Sequence, residues 1–281
     1  MIRFLDEKLF SLQWPWPLVI IIGAMVLFAI AAYLKKSLDL GGAAGAFVMG
    51  VSVLWSTGFA GFLLLLLFFV SSNVVGKISK HIRTRGKMVE ISEKKGHTRD
   101  VMQVLANGLM ATIAALMWLL TSKNIALVMF GAAVAEATAD TFAGEIGRLS
   151  SRDPVSILTL KPVPRGVSGG VTVLGMVAAM GASVCIAACW CLWFSGVTVY
   201  QGLLVGLLGF AGAVVDSYLG AGVQAMYLDP DTGLPSEKEE KDGRKLELVR
   251  GIRWIDNDMV NLMSNVFSAV FALGMGLLIG G

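Results

Sequence analysis

Long apolar runs separated by short charged clusters set the pattern of this chain. They lie at roughly 18–34, 41–57, 59–75, 101–120, 125–146, 167–194, 199–222 and 258–279, and a bilayer crossing needs about 17–25 apolar residues. No ten-residue alternation of the barrel type is present, and open strands would leave backbone groups unpaired in lipid. The pattern therefore predicts an all-α fold. It would be a polytopic transmembrane helical bundle with about eight crossings, forming one integral membrane domain over residues 1–281. The second run is short and rich in glycine. Before the first run, Asp6, Glu7 and the "WPWP" break argue against a cleavable signal. An uncleaved helix anchored by Trp14 and Trp16 at the interface is expected.

Charge orients this bundle. In the eight-crossing arrangement 20 of the 23 Lys and Arg fall on one side, and Arg3, Lys8 and Lys123 on the other. By the positive-inside bias both termini are expected outside, with cytoplasmic loops at about 76–100, 147–166 and 223–257. That reading makes the chain an integral protein of the cell inner membrane with its working face toward the cytoplasm. The basic loop around Lys77–Arg99 suits membrane lipids as partners, at about 1 kcal/mol per cation near an anionic surface. His81 and His97 in that loop are read as solvated. A net charge of +3 is too small to imply a nucleic-acid partner, and 56% hydrophobic residues exclude an ordinary soluble domain. Cys185, Cys189 and Cys191 sit within one apolar run and are read as small core residues.

Acids inside apolar runs are costly, so each is a candidate functional group. In "AEATADTFAGEIGRLS", Glu136 and Asp140 are four apart and share a helix face, while Glu145 lies on another face nearer the exit. Asp140 precedes Arg148 by about eight residues, hence lies about 12 Å below the end of the helix. The seventh run repeats the device, with "DSYLG" from Asp216 echoing "DTFAG" from Asp140. The eighth opens with "DNDMVNLMSNVFS", where Asn257, Asn261 and Asn265 recur every four residues beside Asp258, Ser264 and Ser268. Asn107 and Asn73 also fall near the basic side. Such amides can simply join neighbouring helices. Acids at similar depth on three helices point instead to a shared cavity. Clustered carboxylates need a counter-charge or a proton. An all-oxygen set of Asp, Glu and Asn suits Mg2+, commonly held by a few carboxylates plus substrate phosphates. The expected metal set is Asp140, Glu136, Glu145, Asp216 and Asp258.

Between the fifth and sixth runs lies "LKPVPRGVSGGVTVLG". Lys161 and Arg165 flank two prolines, and Gly166, Gly169 and Gly170 surround Ser168 at what is expected to be the opening of the next helix. Glycines let backbone N–H groups approach a phosphate, and a helix N-terminus favours an anion. Glycine-rich entries to membrane helices also serve packing alone. Both readings stand on this segment by itself; its position just after the carboxylate helix favours phosphate.

Four ordered stretches, "ATADTFAGEIGRLS", "KPVPRGVSGGVTVLG", "GFAGAVVDSYLGAGVQ" and "WIDNDMVNLMS", resemble the motifs of the DUF92 membrane family. That family includes TMEM19-like proteins and the plant phytyl-phosphate kinase. A more distant similarity, "AD-x-x-A-x-x-x-GR" followed by "K-x-x-x-x-G", is to the polyprenol and dolichol kinases. The resemblance implies a lipid-phosphate kinase, with use of a CTP-type nucleotide and a prenyl phosphate acceptor. The expected reaction is phosphoryl transfer from a nucleoside triphosphate (CTP or ATP, CTP favoured) to a membrane-embedded prenyl or phytyl monophosphate. Asp140, Lys161 and Arg165 would be catalytic. Gly166, Ser168, Gly169, Gly170, Arg148, Asn257, Asn261 and Asn107 would bind substrate. Two alternatives remain open: a cytidylyltransferase making a CDP-lipid, and an ion-coupled transporter or lipid flippase.

Overall fold

The apolar runs fold as helices. The computed structural model describes residues 1–85 and 98–278, and these hold eight helices. They are α1 (Ile2–Phe10), α2 (Trp16–Leu34), α3 (Leu40–Arg85), α4 (Val101–Thr121), α5 (Asn124–Gly147), α6 (Val173–Trp193), α7 (Val199–Gly222) and α8 (Asn257–Leu278). All but α1 are long and apolar enough to cross a membrane. Lys87, Lys94, Lys95 and His97 of the expected basic loop lie outside the described residues. The loop's first part, to Arg85, is helical.

Helix α3 takes up two of the expected runs. At Gly58 the backbone has φ 68° and ψ −162°, a region essentially reserved for glycine. A Cβ there would lie 2.5 Å from Asp6 Oδ1, which accepts a hydrogen bond from Phe59 N at 2.8 Å. The chain doubles back at this point. A Cβ at Gly42 would fall 2.5 Å from Arg99 O, and the Phe68 ring stands 5.6 Å from the Arg99 guanidinium. In a straight helix residues 42 and 68 would be about 39 Å apart. The arms 40–57 and 59–85 are therefore antiparallel, and the described residues make eight passes through the bundle.

Helix α5 is the central post, buried on every side from Ile125 to Ala139. It is rich in alanine, so α3, α4, α6, α7 and α8 all approach it closely. Trp190 of α6 locks against it by donating from Nε1 to Leu127 O at 2.9 Å. Helices α4, α6 and α7 begin with side-chain caps from Asp100, Thr172 and Thr198.

One further boundary differs from the sequence reading. The sixth helix starts at Val173, not near 167, because Gly166 and Gly169 take φ of 87° and 79° and Thr172 supplies the cap. The glycine stretch is thus a turn that precedes the helix. It ends in β2 (Gly170–Val171), paired with β1 (Val155–Ser156). The connector after α7 carries more strands. There β3 (Met226–Leu228) lies between β4 (Pro235–Ser236) and β7 (Glu247–Arg250), beside a hairpin of β5 (Glu240–Lys241) and β6 (Arg244–Lys245). This small sheet sits at the basic end of the bundle, beside the end of α7.

Candidate functional site

A cleft of about 270 Å3 opens at the basic end, between the ends of α5 and α7, the starts of α6 and α8, and the glycine turn. Asp140, Glu145 and Arg148 of α5 and its end line it, as do Asp216 of α7 and Asn257 of α8. Arg165, Gly166, Ser168, Gly169 and Gly170 form one wall, and Thr172, Gly175 and Met176 at the start of α6 another.

The echo between the fifth and seventh runs becomes a physical contact. The carboxyl groups of Asp140 and Asp216 lie close enough to interact directly. Two carboxyls in contact require a shared proton or a cation between them. Arg148 lies close enough to Asp140 to interact by charge. Glu136 is one turn deeper and fully buried. It accepts from Ser264 Oγ at 2.7 Å and Asn265 Nδ2 at 2.6 Å. Ser264 also donates to Asp216 Oδ2 at 3.2 Å. Asn261, in the amide orientation that satisfies its neighbours, donates to Asp216 Oδ2 at 3.0 Å and to Asn257 O at 3.2 Å. The polar stripe of α8 therefore faces the acids, and Asn265 reaches the Ala133 carbonyl at 2.8 Å.

The five-acid metal set does not assemble. Among the described residues no three His, Cys, Asp or Glu side chains converge on one point where a metal could be held. Glu145 is five residues beyond Asp140, so it turns toward α3. There its Oε2 stands 3.6 Å from Arg83 Nη2 and its carbonyl accepts from Ser79 Oγ at 2.8 Å. Asp258 is buried at the start of α8, outside the cleft lining. What remains is the Asp140–Asp216 pair flanked by Asn257 and Asn261. The two carboxylates fit a hard cation completed by water and substrate phosphates, with Asn261 orienting Asp216.

Lys161 is exposed on the turn beyond β1 and does not line the cleft. Arg165 lines it but is also engaged structurally, donating to Ser150 O at 2.6 Å and pairing with Asp153 at 3.3 Å. Asn107 lies on α4 at a different, apolar cavity and donates to Gln103 O.

Three residues outside the sequence-based candidates hold the glycine turn. Arg250 of β7 donates through Nη2 to Ser168 O at 3.1 Å and to Gly220 O at 2.9 Å, clamping the turn to the end of α7. Burial lowers its pKa from the ordinary arginine value. Glu237 accepts from Ser168 Oγ at 2.8 Å and from Gln224 Nε2 at 3.0 Å, and both Glu237 and Gln224 line the cleft. Gly169 packs so closely that an added Cβ would overlap Ala221. The only sequence signal for these contacts was the polar Gln224 after "GAGV"; Glu237 and Arg250 were lost in a run of surface charge.

No solved structure matches the chain. Among curated proteins it is 31% identical to Protein PGR of Arabidopsis thaliana over 266 residues, 85% of this chain and 88% of that one. It is 32% identical over 203 residues to the uncharacterized membrane protein MJ0933 of Methanocaldococcus jannaschii, covering 71% and 81%. It is 24% identical over 247 residues to Protein VTE6, chloroplastic, of Arabidopsis thaliana, covering 86% and 66%. The profile described as integral membrane protein DUF92 matches residues 23–269. With that span matched and its motifs gathered around one cleft, the chain belongs to the DUF92 integral membrane family.

Proposed function

We propose that the protein transfers the terminal phosphoryl group of a nucleoside triphosphate, CTP by preference, to a prenyl or phytyl monophosphate held in the bilayer. One observation carries this reading: the Asp140–Asp216 pair and the Gly166–Gly170 turn face the same cleft at the end of an apolar bundle. Membership of the DUF92 family, which includes the plant phytyl-phosphate kinase, supports the acceptor class. The lopsided basic charge supports a cytoplasmic site.

Phosphoryl transfer asks little covalent chemistry of a protein; positioning and charge stabilisation suffice. An acceptor phosphate oxygen forms a bond to the γ-phosphorus while the bond from that phosphorus to the β-phosphate oxygen breaks, releasing the nucleoside diphosphate. The acceptor is already ionised near neutral pH, so no strong base is needed. Asp140 and Asp216 would hold Mg2+, which when bound neutralises charge on the transferring phosphates. Arg148 would add positive charge from the end of α5. Gly166, Ser168, Gly169 and Gly170 would bring backbone amides to the phosphates, with Arg165 bracing their loop. Asn257 and Asn261 would orient Asp216 and the cleft mouth.

The test is incubation of purified protein with Mg2+, CTP or ATP, and a panel of prenyl monophosphates, with products read by mass. A prenyl diphosphate with an equal amount of nucleoside diphosphate is expected. Pyrophosphate with a CDP-lipid would replace the kinase by a cytidylyltransferase. Absence of any nucleotide-dependent product across the panel would overturn the reading.

A further inference from the structure

Helices α2 and α4 both pack on α3 but make no substantial contact with each other. A furrow is left between them, widening into a cavity of about 80 Å3. Its walls are Phe28, Met49, Phe62, Leu66 and Phe69, which makes it almost wholly apolar. At its basic end stands Arg99. The backbone of Arg99 is fixed by two hydrogen bonds, its N donating to Ser37 O and its O accepting from Asp39 N. An arginine just outside a membrane helix ordinarily stretches toward water. This one instead lies over the Phe68 ring, 5.6 Å from its centroid. Its guanidinium makes no hydrogen bond and no ion pair with any described residue, and Glu145 acts on it only through longer-range charge. Gln103 shares the cavity; its side-chain oxygen accepts from Asp100 N, which leaves its amide hydrogens as donors.

We infer that this furrow binds a membrane lipid with an anionic phosphate head group, the phosphate against Arg99 and Gln103 and the chain along the apolar wall of α3. A half-buried cation lying on an aromatic ring, with no direct anion among the described residues, is suited to one, and basic pockets between membrane helices take lipid phosphates. An oily trough leading away from the charge selects a lipid over a soluble phosphate. The site is separate from the Asp140–Asp216 cleft and does not depend on the reaction proposed there.

The experiment uses full-length protein in detergent, titrated with phosphatidylglycerol, phosphatidylcholine or inorganic phosphate. Thermal unfolding and native mass spectrometry are the readouts. Phosphatidylglycerol should raise the unfolding temperature saturably, while phosphatidylcholine and inorganic phosphate should not. Arg99→Gln should weaken this by roughly tenfold or more, Arg99→Lys should retain most of it, and Asp140→Asn should bind like the parent. If Arg99→Gln does not fold, Leu66→Trp tests the same site by filling the furrow, and lipid retention should fall. Equal binding of both lipids, equal protection by inorganic phosphate, or an unchanged titration in Arg99→Gln or Leu66→Trp overturns the inference.

Discussion

Asp140 and Glu136 stand one helix turn apart in different surroundings, and only Asp140 takes part in the reaction proposed above. Glu136 has its lone pairs taken by Ser264 and Asn265, whereas Asp140 meets Asp216 at the wall of an open cleft. Asp140→Asn keeps size and hydrogen bonding, so the protein should extract and unfold like the parent. Product formation should fall by at least about a hundredfold, the scale on which electrostatic groups contribute to charge-developing reactions. Near-parental turnover in that variant would remove Asp140 from the site. Arg250 poses a different test, because it touches the turn and not the cleft. Arg250→Met leaves the Ser168 and Gly220 carbonyls without their charged donor, a loss of about 1.5–3 kcal/mol. Its effect should appear in nucleotide KM more than in kcat, with partial rescue by Arg250→Lys. Equal loss in both variants, or a loss confined to kcat, would argue against a positioning role. The repeated "DTFAG" and "DSYLG" made Asp140 and Asp216 readable from residues alone. Arg250 was not readable, because its partners are 82 and 30 positions away and nothing local marks them.

At the scale of elements, legibility follows the range of the forces involved. Hydropathy is local, so six of the expected runs reappear within a few residues as α2, the first arm of α3, α4, α5, α7 and α8, while the second arm of α3 runs on to Arg85. The hairpin at Gly58 also falls where the second and third runs divide. The sheet beyond α7 is not legible in the sequence, since strands of two to four residues are too short to carry a periodic signal. Its edge is fastened by a charge cluster. Lys241 Nζ meets Asp229 Oδ2 at 2.9 Å and Asp231 Oδ2 at 2.8 Å. The bond from Lys241 holds Asp229 below the usual carboxylate range, and Asp231 and Asp229 hold Lys241 above the usual lysine range. A depressed acid stabilises above its unfolded pKa and loses that as pH falls through its folded value. A raised lysine stabilises below its unfolded pKa and loses that as pH rises through its folded value. Intrinsically corrected hydrogen-exchange protection over 229–241 should therefore be flat between about pH 5 and 9, and should fall below about pH 4, under the ordinary aspartate value. Protection that already declines between pH 9 and 6 would contradict the pairing. Gly169→Ala tests the neighbouring turn. A left-handed backbone costs about 1–2 kcal/mol with a Cβ, and overlap with Ala221 adds to it. Lower thermal stability together with weaker nucleotide binding is expected. Unchanged binding would detach the turn from the phosphates.

For the whole molecule, eight passes bring the start of α2 and the end of α8 to one end of the bundle. Contacts define that end independently: Asp6 meets Phe59, Asn124 donates to Gly196 O, and a Cβ at Gly276 would overlap Ile125. The opposite end gathers Lys36, Arg99, Arg148 and the sheet with its cluster of charge. Which end faces the cytoplasm is a matter of topogenesis, and the expectation from the positive-inside bias is the charged end. Single cysteines introduced at exposed sites would decide this in intact cells, read against a background with Cys185, Cys189 and Cys191 replaced. Trp14→Cys and Lys123→Cys should react with a membrane-impermeant maleimide added from outside. Lys161→Cys and Lys245→Cys should react only after permeabilisation. The reverse pattern would turn the cleft away from the cell's nucleoside triphosphates and remove the proposed donor at a stroke. A split pattern, with Trp14 and Lys123 on opposite sides, would break the hairpin at Gly58. The two arms of α3 would then have to cross as one long helix, against the contacts that Gly42 and Phe68 both make with Arg99.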